Sequence, residues 1–357
     1  MSEYYSLKKI HKYNAIYNVI IGQRSNGKTY AWKELCLDTY INTSEKGAYI
    51  RRFDEEIKPS NLGQLFDVHD VYKKTKGKWN SVTYKSRSFY LCNKDDGKVL
   101  NCDEEPFCNC YALNTWETSK GADKGIVSNI CFDEFMTRKA YLPNEFVIFQ
   151  QMLSSIIRDR DIAKIYMLAN TVNKYCPYFK EMGLNHVAEM KQGDIELYRF
   201  NDDLTVAVEY CDEAKTTKKV KKYYAFDNPQ LEMITSGKWE IALYPHAPIR
   251  HTKYDILTRF YIIFDKKIGC GDVIKNDKYL YIFYHMHTGK HIPDENDIVY
   301  LEQHDGIINH AILTSEIRNE KQKLIVDLMN CKREFYSDNN VGEYIRNWKI
   351  NVNRKVV

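Results

Sequence analysis

The first two hundred residues alternate short apolar runs with segments of helical periodicity. Apolar runs of strand length cover residues 17–21, 48–51, 127–132 and 164–168, and helical patterns cover residues 29–40 and 143–158. A strand followed by a helix and a further strand is the repeating unit of a parallel sheet. This part of the chain is therefore predicted to be an α/β domain built on a parallel central sheet.

The pattern changes between Trp79 and Leu113. Short alternating segments at residues 81–85, 88–92, 98–100 and 107–113 are interrupted by a polar turn sequence at residues 93–97, which predicts one or two inserted antiparallel hairpins. Four cysteines fall in this stretch, and only the Cys108-x-Cys110 spacing comes near that of a zinc knuckle. We expect plain hairpin residues here rather than a zinc site, and we assign the 102–110 insertion no role.

The last third of the chain shows strand patterns first and helical patterns afterwards. Residues 260–265, 272–275 and 279–285 predict a three-stranded antiparallel meander with Gly269 and Gly271 at a turn, and residues 307–318 and 320–335 predict helices. Around residue 210 the periodicity weakens into a basic stretch. The predicted organisation is a first domain at 1–209, a basic linker at 210–240 and a smaller α+β domain at 241–357.

Composition excludes several classes of protein. The 357 residues are 44% hydrophobic and 28% charged, which is ordinary for a globular protein and unlike a disordered or collagenous chain. No apolar run approaches the roughly 18 residues of a membrane span, and the first residues lack a signal-peptide pattern. We therefore expect no membrane partner and a cytoplasmic location. The ten cysteines are too dilute for a disulfide framework.

The net charge of +4 excludes a histone-like polycation, but the basic stretch is locally dense. Its lysines include Lys218, Lys219, Lys221 and Lys222. A solvated linker and a segment that contacts nucleic-acid phosphates both fit this pattern.

Residues 22–29 match the phosphate-binding loop pattern G-x-x-x-x-G-K-[ST] at every fixed position. The loop consists of Gly22, Gln23, Arg24, Ser25, Asn26, Gly27, Lys28 and Thr29. It follows a β-branched strand and precedes a helix, as phosphate binding by backbone N–H groups requires. Lys28 is expected to reach the β- and γ-phosphates of ATP, and the Thr29 hydroxyl to hold Mg²⁺.

Two carboxylates follow the apolar strand at residues 127–132. Asp133 is placed to hold a magnesium-bound water, and Glu134 to polarise a water that attacks the γ-phosphate. Asn170, after the next strand, suits a γ-phosphate sensor or an ordinary strand-terminal cap equally well. The pair favours hydrolysis, and it predicts a P-loop ATPase of the class with an additional catalytic strand (ASCE).

Several arginines also follow predicted elements. Arg158 and Arg160 close the second helix, where they suit either solvated ion pairs or, in a ring, an arginine finger toward a neighbour. Arg51 and Arg52 end the second strand and are candidates to steer phosphates or to join subunits.

The motifs alone leave other functions open. A helicase or another nucleic-acid translocase shares both catalytic motifs and differs in its partner. A small-molecule phosphotransferase does not need Glu134, and a scaffold that binds nucleotide without turnover does not need both Lys28 and Glu134.

Taken together, these residues resemble the DNA-packaging motor ATPases of small protein-primed tailed phages, which are related to the large terminases. The resemblance covers most of residues 17–180 and includes the strand and loop at 18–29, the strand end at Arg51-Arg52, Trp116-x3-Lys120, Cys131-Phe132-Asp133-Glu134-Phe135, Leu142-Pro143-Asn144-Glu145, Arg158-x-Arg160, Leu168-Ala169-Asn170 and Pro177-Tyr178-Phe179.

The resemblance implies a pentameric ring that hydrolyses ATP to drive double-stranded DNA through the portal of an empty capsid. It implies a location in the host cytoplasm and, transiently, at the portal vertex, with a structural packaging RNA as an open question. Arg158 matches the family's arginine finger, which acts on the neighbouring subunit's nucleotide. Lys120 matches a second basic residue that acts between subunits, and Arg52 lies in the family's basic strand end. The C-terminal domain is implied to be RNase H-like, with Asp265 where the first nuclease carboxylate is expected and Asp272 and Asp297 as candidate partners. Because these do not make a convincing set, we expect the domain to be vestigial and not an active nuclease.

Overall fold

The computed structural model describes residues 4–119, 125–139, 141–158, 163–201, 203–212, 239, 242–247, 251–275, 279–302, 305–311 and 317–354. The chain divides into two compact units, Met1–Glu240 and Ile241–Val357. Within the described ranges, no helix combines the length and the apolar character needed to cross a membrane.

One mixed sheet organises the first unit. Its strands are β1 (Tyr17–Gly22), β2 (Lys46–Arg51), β3 (Ser81–Lys85), β4 (Ser88–Asp95), β5 (Lys98–Cys102), β6 (Cys108–Ala112), β7 (Val127–Asp133), β8 (Lys164–Asn170), β9 (Ile195–Arg199) and β10 (Thr205–Tyr210). Its helices are α1 (Lys28–Thr43), α2 (Pro59–Leu62), α3 (Val71–Lys74), α4 (Glu145–Ile157) and α5 (Pro177–Glu181), and 3₁₀ turns cover Ile10–Tyr13, Asp54–Ile57 and Leu113–Ser119.

The centre of this sheet is parallel, as predicted. Strands β6-β2-β7-β8-β1-β10 lie side by side in that order, and each neighbouring pair runs in the same direction. Strand β8 separates β1 from β7, so a further strand stands between the one that leads into the glycine-rich loop and the one that ends in Asp133. This is the strand arrangement that the prediction of an additional catalytic strand requires.

The predicted antiparallel hairpins are present, but the segment predicted at residues 107–113 also forms part of the central parallel sheet. Strands β3, β4 and β5 pair antiparallel, and β4 attaches them to the edge of the main sheet through β6. The segment predicted at residues 107–113 forms β6, which is fully buried and pairs in parallel with β2. This strand pairs antiparallel with β4, as predicted, but its parallel pairing with β2 was not predicted, because pairing direction depends on the partner strand and not on local alternation.

Helices cover both faces of the first sheet. On one face, Phe132, Phe149 and Tyr178 pack with ring centroids 5.1–6.0 Å apart, within a core that includes α4 and α5. On the other face, Trp32 of α1 packs 5.7 Å from Tyr49 of β2. Burial on both faces fixes the strand ends of β1, β2, β7 and β8 at one rigid edge.

The second unit is built on a separate mixed sheet. Its strands are β11 (Ile256–Phe264), β12 (Lys267–Lys275), β13 (Leu280–Met286), β14 (Ile298–Leu301), β15 (His310–Ala311) and β16 (Glu334–Tyr336), and its helices are α6 (Glu320–Asn330) and α7 (Asn339–Arg354). The order is β15-β14-β11-β12-β13-β16, with an antiparallel β11–β12–β13 meander and β14 and β15 added in parallel. Numbered from β11, the strand order is 6-3-2-1-4-5, and β16 pairs in parallel with β13.

Three local predictions in this unit were wrong. Gly269 and Gly271 lie inside β12, where an added Cβ at Gly271 would stand 2.1 Å from Cζ of Phe260, so close ring packing and not a turn requires these glycines. The turn falls at Asp265–Lys266, where both residues have positive φ. Residues 310–311 form a strand and not a helix, and the helix predicted at 320–335 ends at Asn330. Helix α7 was not predicted at all.

Candidate nucleotide site at the carboxyl edge of the parallel sheet

The glycine-rich loop connects β1 to α1 and wraps around the first turn of that helix. Gly27, the residue before α1, has φ 98°, a conformation that favours glycine. Within the loop, Gln23 and Asn26 are buried and Arg24 is exposed. The N-terminal segment braces the loop from outside, because the Tyr5 amide donates to the Asn26 carbonyl oxygen at 2.8 Å. The loop therefore holds its shape before any ligand is bound.

The Lys28 ammonium lies inside this loop. Its Nζ donates to the Gln23 carbonyl oxygen at 2.7 Å, to Oδ1 of Asn26 at 3.2 Å and to Oδ1 of Asn170 at 3.4 Å. Burial lowers the pKa of Lys28 to about 8. A buried cation held by neutral oxygens gains free energy when an anion approaches, so this position is suited to a phosphate.

Thr29 and Asp133 form the adjacent part of the site. The Thr29 hydroxyl donates to Oδ2 of Asp133 at 3.1 Å, and the buried Tyr49 hydroxyl donates to the same oxygen at 2.8 Å. Burial raises the pKa of Asp133, and the Arg51 guanidinium and the Tyr49 hydroxyl oppose that shift. Hydroxyl and carboxylate oxygens are the donor set that Mg²⁺ prefers, so these residues fit that ion.

Glu134 follows β7 in a left-handed conformation with φ 55°, which is uncommon for a residue with a side chain. Its Oε2 accepts from Nη2 of Arg51 at 2.7 Å, and the same guanidinium nitrogen donates to Oε1 of Glu56 at 2.9 Å. The Glu134 side chain is 57% exposed, so it borders the site from the solvent side. Arg51 thus holds Glu134 in place and has a second carboxylate available to it.

Arg52, which was predicted as an interface candidate, is buried and makes its contacts within the first unit. Its side chain is 6% exposed, and Nε donates to Glu145 at 2.8 Å. The guanidinium also donates to the carbonyl oxygen of Phe135 and lies 4.9 Å from the Tyr141 ring centroid. Tyr178 donates to the second oxygen of Glu145 at 2.9 Å. Arg52 therefore ties β2 to α4 and to the segment after Glu134.

The other predicted residues divide into two groups. Arg158 is exposed and immediately follows α4, and Asn170 ends β8 within reach of Lys28. Lys120, Arg160, Lys218, Lys219, Lys221 and Lys222, with nearly all of the basic linker, lie outside the described residues. Their predicted roles remain predictions.

Among the described residues of the second unit, Asp265 and Asp272, two of the acidic residues considered for a two-metal nuclease site, do not belong to a common set of potential metal ligands. Asp272 is buried in a bidentate pair with Arg259, at 2.6 and 2.8 Å, and Asp265 stands in the turn after β11. In the described part of the chain, His291, Asp294 and Asp297 are the one set of potential metal ligands with atoms within 4.8 Å of one another. The cysteines predicted to be plain hairpin residues belong to no such set, and all ten are free thiols.

The sequence analysis assigned no role to Tyr49, Glu56 or Glu145, and gave Arg51 only a general role. Tyr49 and Arg51 stand two apart on β2, so their side chains share a face, and that period could have pointed to both. Glu56 and Glu145 become relevant only through tertiary pairing, for which the sequence offers no local signal.

An α/β parallel sheet with this loop, lysine and acidic strand end defines a P-loop nucleotide-binding protein. Residues 1–228 match the family of the podovirus DNA encapsidation protein (Gp16), and the chain belongs to this family. This confirms the resemblance drawn from the sequence.

The comparisons also identify individual relatives. The DNA packaging proteins of Bacillus phage PZA and Bacillus phage phi29 are each 30% identical to this chain over 186 residues, which cover 50% of this chain and 49% of theirs. The match with this chain thus spans about half the length of each.

Two solved structures share the fold over nearly the whole chain. The bacteriophage Phi-29 viral genome packaging motor assembly has a TM-score of 0.56 at 21% identity, with 97% of this chain and 100% of that chain covered. The Phi-28 gp11 DNA packaging motor has a TM-score of 0.54 at 15% identity, with 99% and 98% covered. At these identities the likeness establishes the fold alone.

Proposed function

We propose that this chain is an ATP-hydrolysing motor that moves double-stranded viral DNA into a preformed capsid through its portal. The observation that carries the proposal is the convergence of Lys28, Thr29, Asp133 and Glu134 at one edge of the sheet in a member of this family. The relatives are described as DNA packaging proteins, and one neighbour as part of a viral genome packaging motor assembly.

The loop residues would bind the triphosphate. Lys28 would exchange its contacts with the loop oxygens for the β- and γ-phosphates, and the loop amides would meet the same charge. Thr29 and Asp133 would hold Mg²⁺, which when bound neutralises charge that develops on the phosphates. Asn170, whose Oδ1 lies 3.4 Å from Nζ of Lys28, would contact the γ-phosphate from β8.

Glu134 is proposed to orient and polarise the attacking water. The Arg51 guanidinium occupies one of its oxygens at 2.7 Å, so Glu134 becomes a full acceptor only when that pair opens. Glu56 lies ready to keep the Arg51 charge paired at 2.9 Å. When the pair between Arg51 and Glu134 opens, the buried Arg51 guanidinium therefore keeps Glu56 as its charged partner.

We propose the ring and domain roles on the resemblance. The ATPase domain would be 1–209, the basic linker 210–240 and the C-terminal domain 241–357, in a pentamer docked on the portal, with or without a packaging RNA. Arg158 would act as the finger in the neighbouring subunit's site, with Lys120 and Arg160 at the same interface. The lysines at 218–222 would contact DNA phosphates, which are alike at every base pair and therefore suit a motor.

The second unit is proposed to be a vestigial nuclease domain. The first five strands of its sheet follow the order 3-2-1-4-5, which is typical of an RNase H-like domain and supports this assignment. The ion pair that occupies Asp272 supports the loss of nuclease activity. A domain of this kind would bind DNA or the portal and would not cut DNA.

A trans-complementation assay tests the ring mechanism. Arg158→Ala and Lys28→Ala chains are each expected to be inactive, and their mixture to regain hydrolysis, because each supplies what its neighbour lacks. A mixture as inactive as its components would contradict the trans role.

The identity of the DNA separates the motor from a helicase. Hydrolysis stimulated more by long duplex than by single strands or forks supports the packaging motor, and the reverse order would favour a helicase. ADP formation that requires a small acceptor, to which the γ-phosphate is transferred in place of water, would favour a phosphotransferase.

A further inference from the structure

A second polar cavity of about 120 Å³ lies in the first unit, separate from the nucleotide site. Its mouth is the β3–β4 turn at Ser86 and Arg87, and its wall is formed by β6 and by the 3₁₀ turn Leu113–Ser119. We refer to it as the β6 cavity. Its deeper lining includes Asn109, Tyr111 and Trp116.

Three polar atoms in this lining are buried without a hydrogen-bond partner among the described residues. They are Nδ2 of Asn109, the hydroxyl of Tyr111 and Nε1 of Trp116, on residues that are 3%, 7% and 4% exposed. The Ser88 hydroxyl donates to Oδ1 of Asn109 at 3.0 Å, so the amide oxygen is satisfied and the NH₂ group is not. A buried polar group without a hydrogen bond costs about 1–3 kcal/mol. Three such groups on the residues that line one cavity therefore indicate that the cavity binds a ligand or water.

The chemistry of the cavity selects for an acceptor. Trp116 Nε1 and Asn109 Nδ2 can only donate, and burial raises the pKa of Tyr111, so its hydroxyl keeps its proton. The residues that line the cavity include no carboxylate, and Arg87 at the mouth carries the formal positive charge. Arg87 pairs with Asp54 at 2.7 Å from outside the lining. An occupant that offers several acceptor oxygens can therefore satisfy all three unpaired groups at once.

We propose that the β6 cavity is a phosphate site, distinct from the glycine-rich loop, which takes a phosphate group either free in solution or in a nucleic-acid backbone. Two N–H donors and one O–H donor from three residues would contact its oxygens, and Arg87 would balance its charge. The volume corresponds to about four water molecules, which is enough for one phosphate group and leaves no room for a nucleotide.

A phosphate in the β6 cavity would also act on Arg51, through the turn Asp54–Ile57. Asp54, the partner of Arg87, begins the turn Asp54–Ile57, and its amide donates to Oδ1 of Asn114 at 2.9 Å. The same turn supplies Glu56, which binds Arg51 beside Glu134. A phosphate that draws Arg87 away from Asp54 therefore acts on the turn that holds Arg51. The nucleic-acid source, and this consequence, rest on the proposed function, but the phosphate site itself does not.

Thermal unfolding of the full chain in inorganic phosphate tests the site. A Lys28→Ala background removes phosphate binding at the glycine-rich loop, and chloride at matched ionic strength and pH is the reference. Phosphate is expected to raise the Tm in proportion to the logarithm of its concentration. Trp116→Phe and Tyr111→Phe are each expected to weaken the fitted affinity about tenfold, roughly the effect of one hydrogen bond to a charged group.

Trp348→Phe is the matched control, because Nε1 of Trp348 is also buried without a partner among the described residues but lies in the second unit. It is expected to leave the phosphate effect unchanged. Tyr111→Phe, which removes a single oxygen, keeps the test valid if Trp116→Phe fails to fold. A Tm that responds equally to phosphate and chloride, or a phosphate effect that survives both cavity variants, would overturn the proposal and leave the cavity to water or to a protein side chain.

Duplex binding by the same variants identifies the source of the phosphate. Weaker binding in both cavity variants, together with a salt slope reduced by about one in Arg87→Ala, would assign the site to the DNA backbone. Unchanged duplex binding with a retained phosphate effect would assign it to free phosphate. Failure of DNA to stimulate hydrolysis would contradict the motor and leave the phosphate site standing.

Discussion

The two sheets of this protein treat their acidic side chains in opposite ways. In the first unit, Asp133 lies 3.1 Å from the Thr29 hydroxyl, and Glu134 follows it at the same edge. In the second unit, Asp272 is neutralised by Arg259. Asp265 follows the end of β11, six residues after Arg259, which corresponds to about 20 Å of extended chain.

Strand direction explains the difference. Parallel strands bring all their carboxyl ends to one edge, so residues that follow β1, β7 and β8 meet even though they are far apart in sequence. An antiparallel meander sends successive strand ends to opposite edges. The β11–β12–β13 meander therefore separates Asp265 from Asp272, and the His291, Asp294 and Asp297 set lies outside it, in the segment before β14.

The largest effect is expected at the parallel edge. Lys28→Ala should reduce ATP hydrolysis at least about a hundredfold, because it removes a preorganised donor to the phosphates. The measurement is steady-state phosphate release at saturating ATP. Lys12→Ala, an exposed lysine of the same unit, is the control and should retain activity. Equal activity of the two variants would contradict the role of the loop.

The buried pair behind the edge is expected to control stability and not chemistry directly. Arg52→Ala should lower the free energy of unfolding of the first unit by about 3–5 kcal/mol, since it leaves Glu145 buried without its partner. The double variant Arg52→Met/Glu145→Leu should lose less, because it removes both charges. Chemical denaturation measures both. A double variant less stable than the single one would show that the pair itself, and not the orphaned charge, matters.

In the second sheet, packing is expected to be more sensitive than charge. Gly271→Ala should destabilise that unit by about 1–3 kcal/mol, because the new Cβ would overlap the Phe260 ring. Adding Phe260→Leu should recover part of the loss by shortening the opposing side chain. Chemical denaturation of the wild type and both variants measures the change, and an unaltered unfolding midpoint for Gly271→Ala would contradict the close approach of Gly271 and Phe260.

The Asp272 pair predicts a smaller, pH-dependent effect. Arg259 and His285 hold the pKa of Asp272 below its ordinary value even though burial acts in the opposite direction. A lowered folded-state pKa contributes stability above the unfolded value, about 3.9, and this is lost as the pH falls through the folded one. The wild type should therefore lose stability below about pH 4, relative to Asp272→Asn. If the stability of the two proteins depends on pH in the same way, the result would contradict a stabilising ion pair between Asp272 and Arg259.

The smallest effect is expected at Asp265. Asp265→Asn should change stability by less than about 0.5 kcal/mol, because asparagine also tolerates the left-handed turn conformation. Neither it nor the wild type should cut DNA with Mg²⁺ or Mn²⁺. Metal-dependent cleavage that the substitution removes would mean that the second sheet does assemble a catalytic site.

The predictable part of the molecule is the part whose signals are local. The spacing of Gly22, Gly27 and Lys28 and the apolar strand before Asp133 were sufficient to predict the loop, the parallel sheet and the family. Each of these depends on neighbours within a few residues.

What could not be predicted depends on partners distant in sequence. Arg51 and Arg52 are identical side chains one residue apart, yet one faces Glu134 and the other is buried against Glu145, because successive residues of a strand point to opposite faces. Likewise, Gly271 resembles a turn residue until Phe260 is placed opposite it by register.

The central claim is that the carboxyl edge of the first sheet is a DNA-coupled ATPase site. Steady-state ATP hydrolysis by the wild type and Glu134→Gln, each with and without long double-stranded DNA, tests it most directly. We expect duplex DNA to stimulate hydrolysis strongly in the wild type. We expect Glu134→Gln to lose this hydrolysis while it still binds ATP. Hydrolysis indifferent to DNA, or a Glu134→Gln chain as active as the wild type, would contradict it.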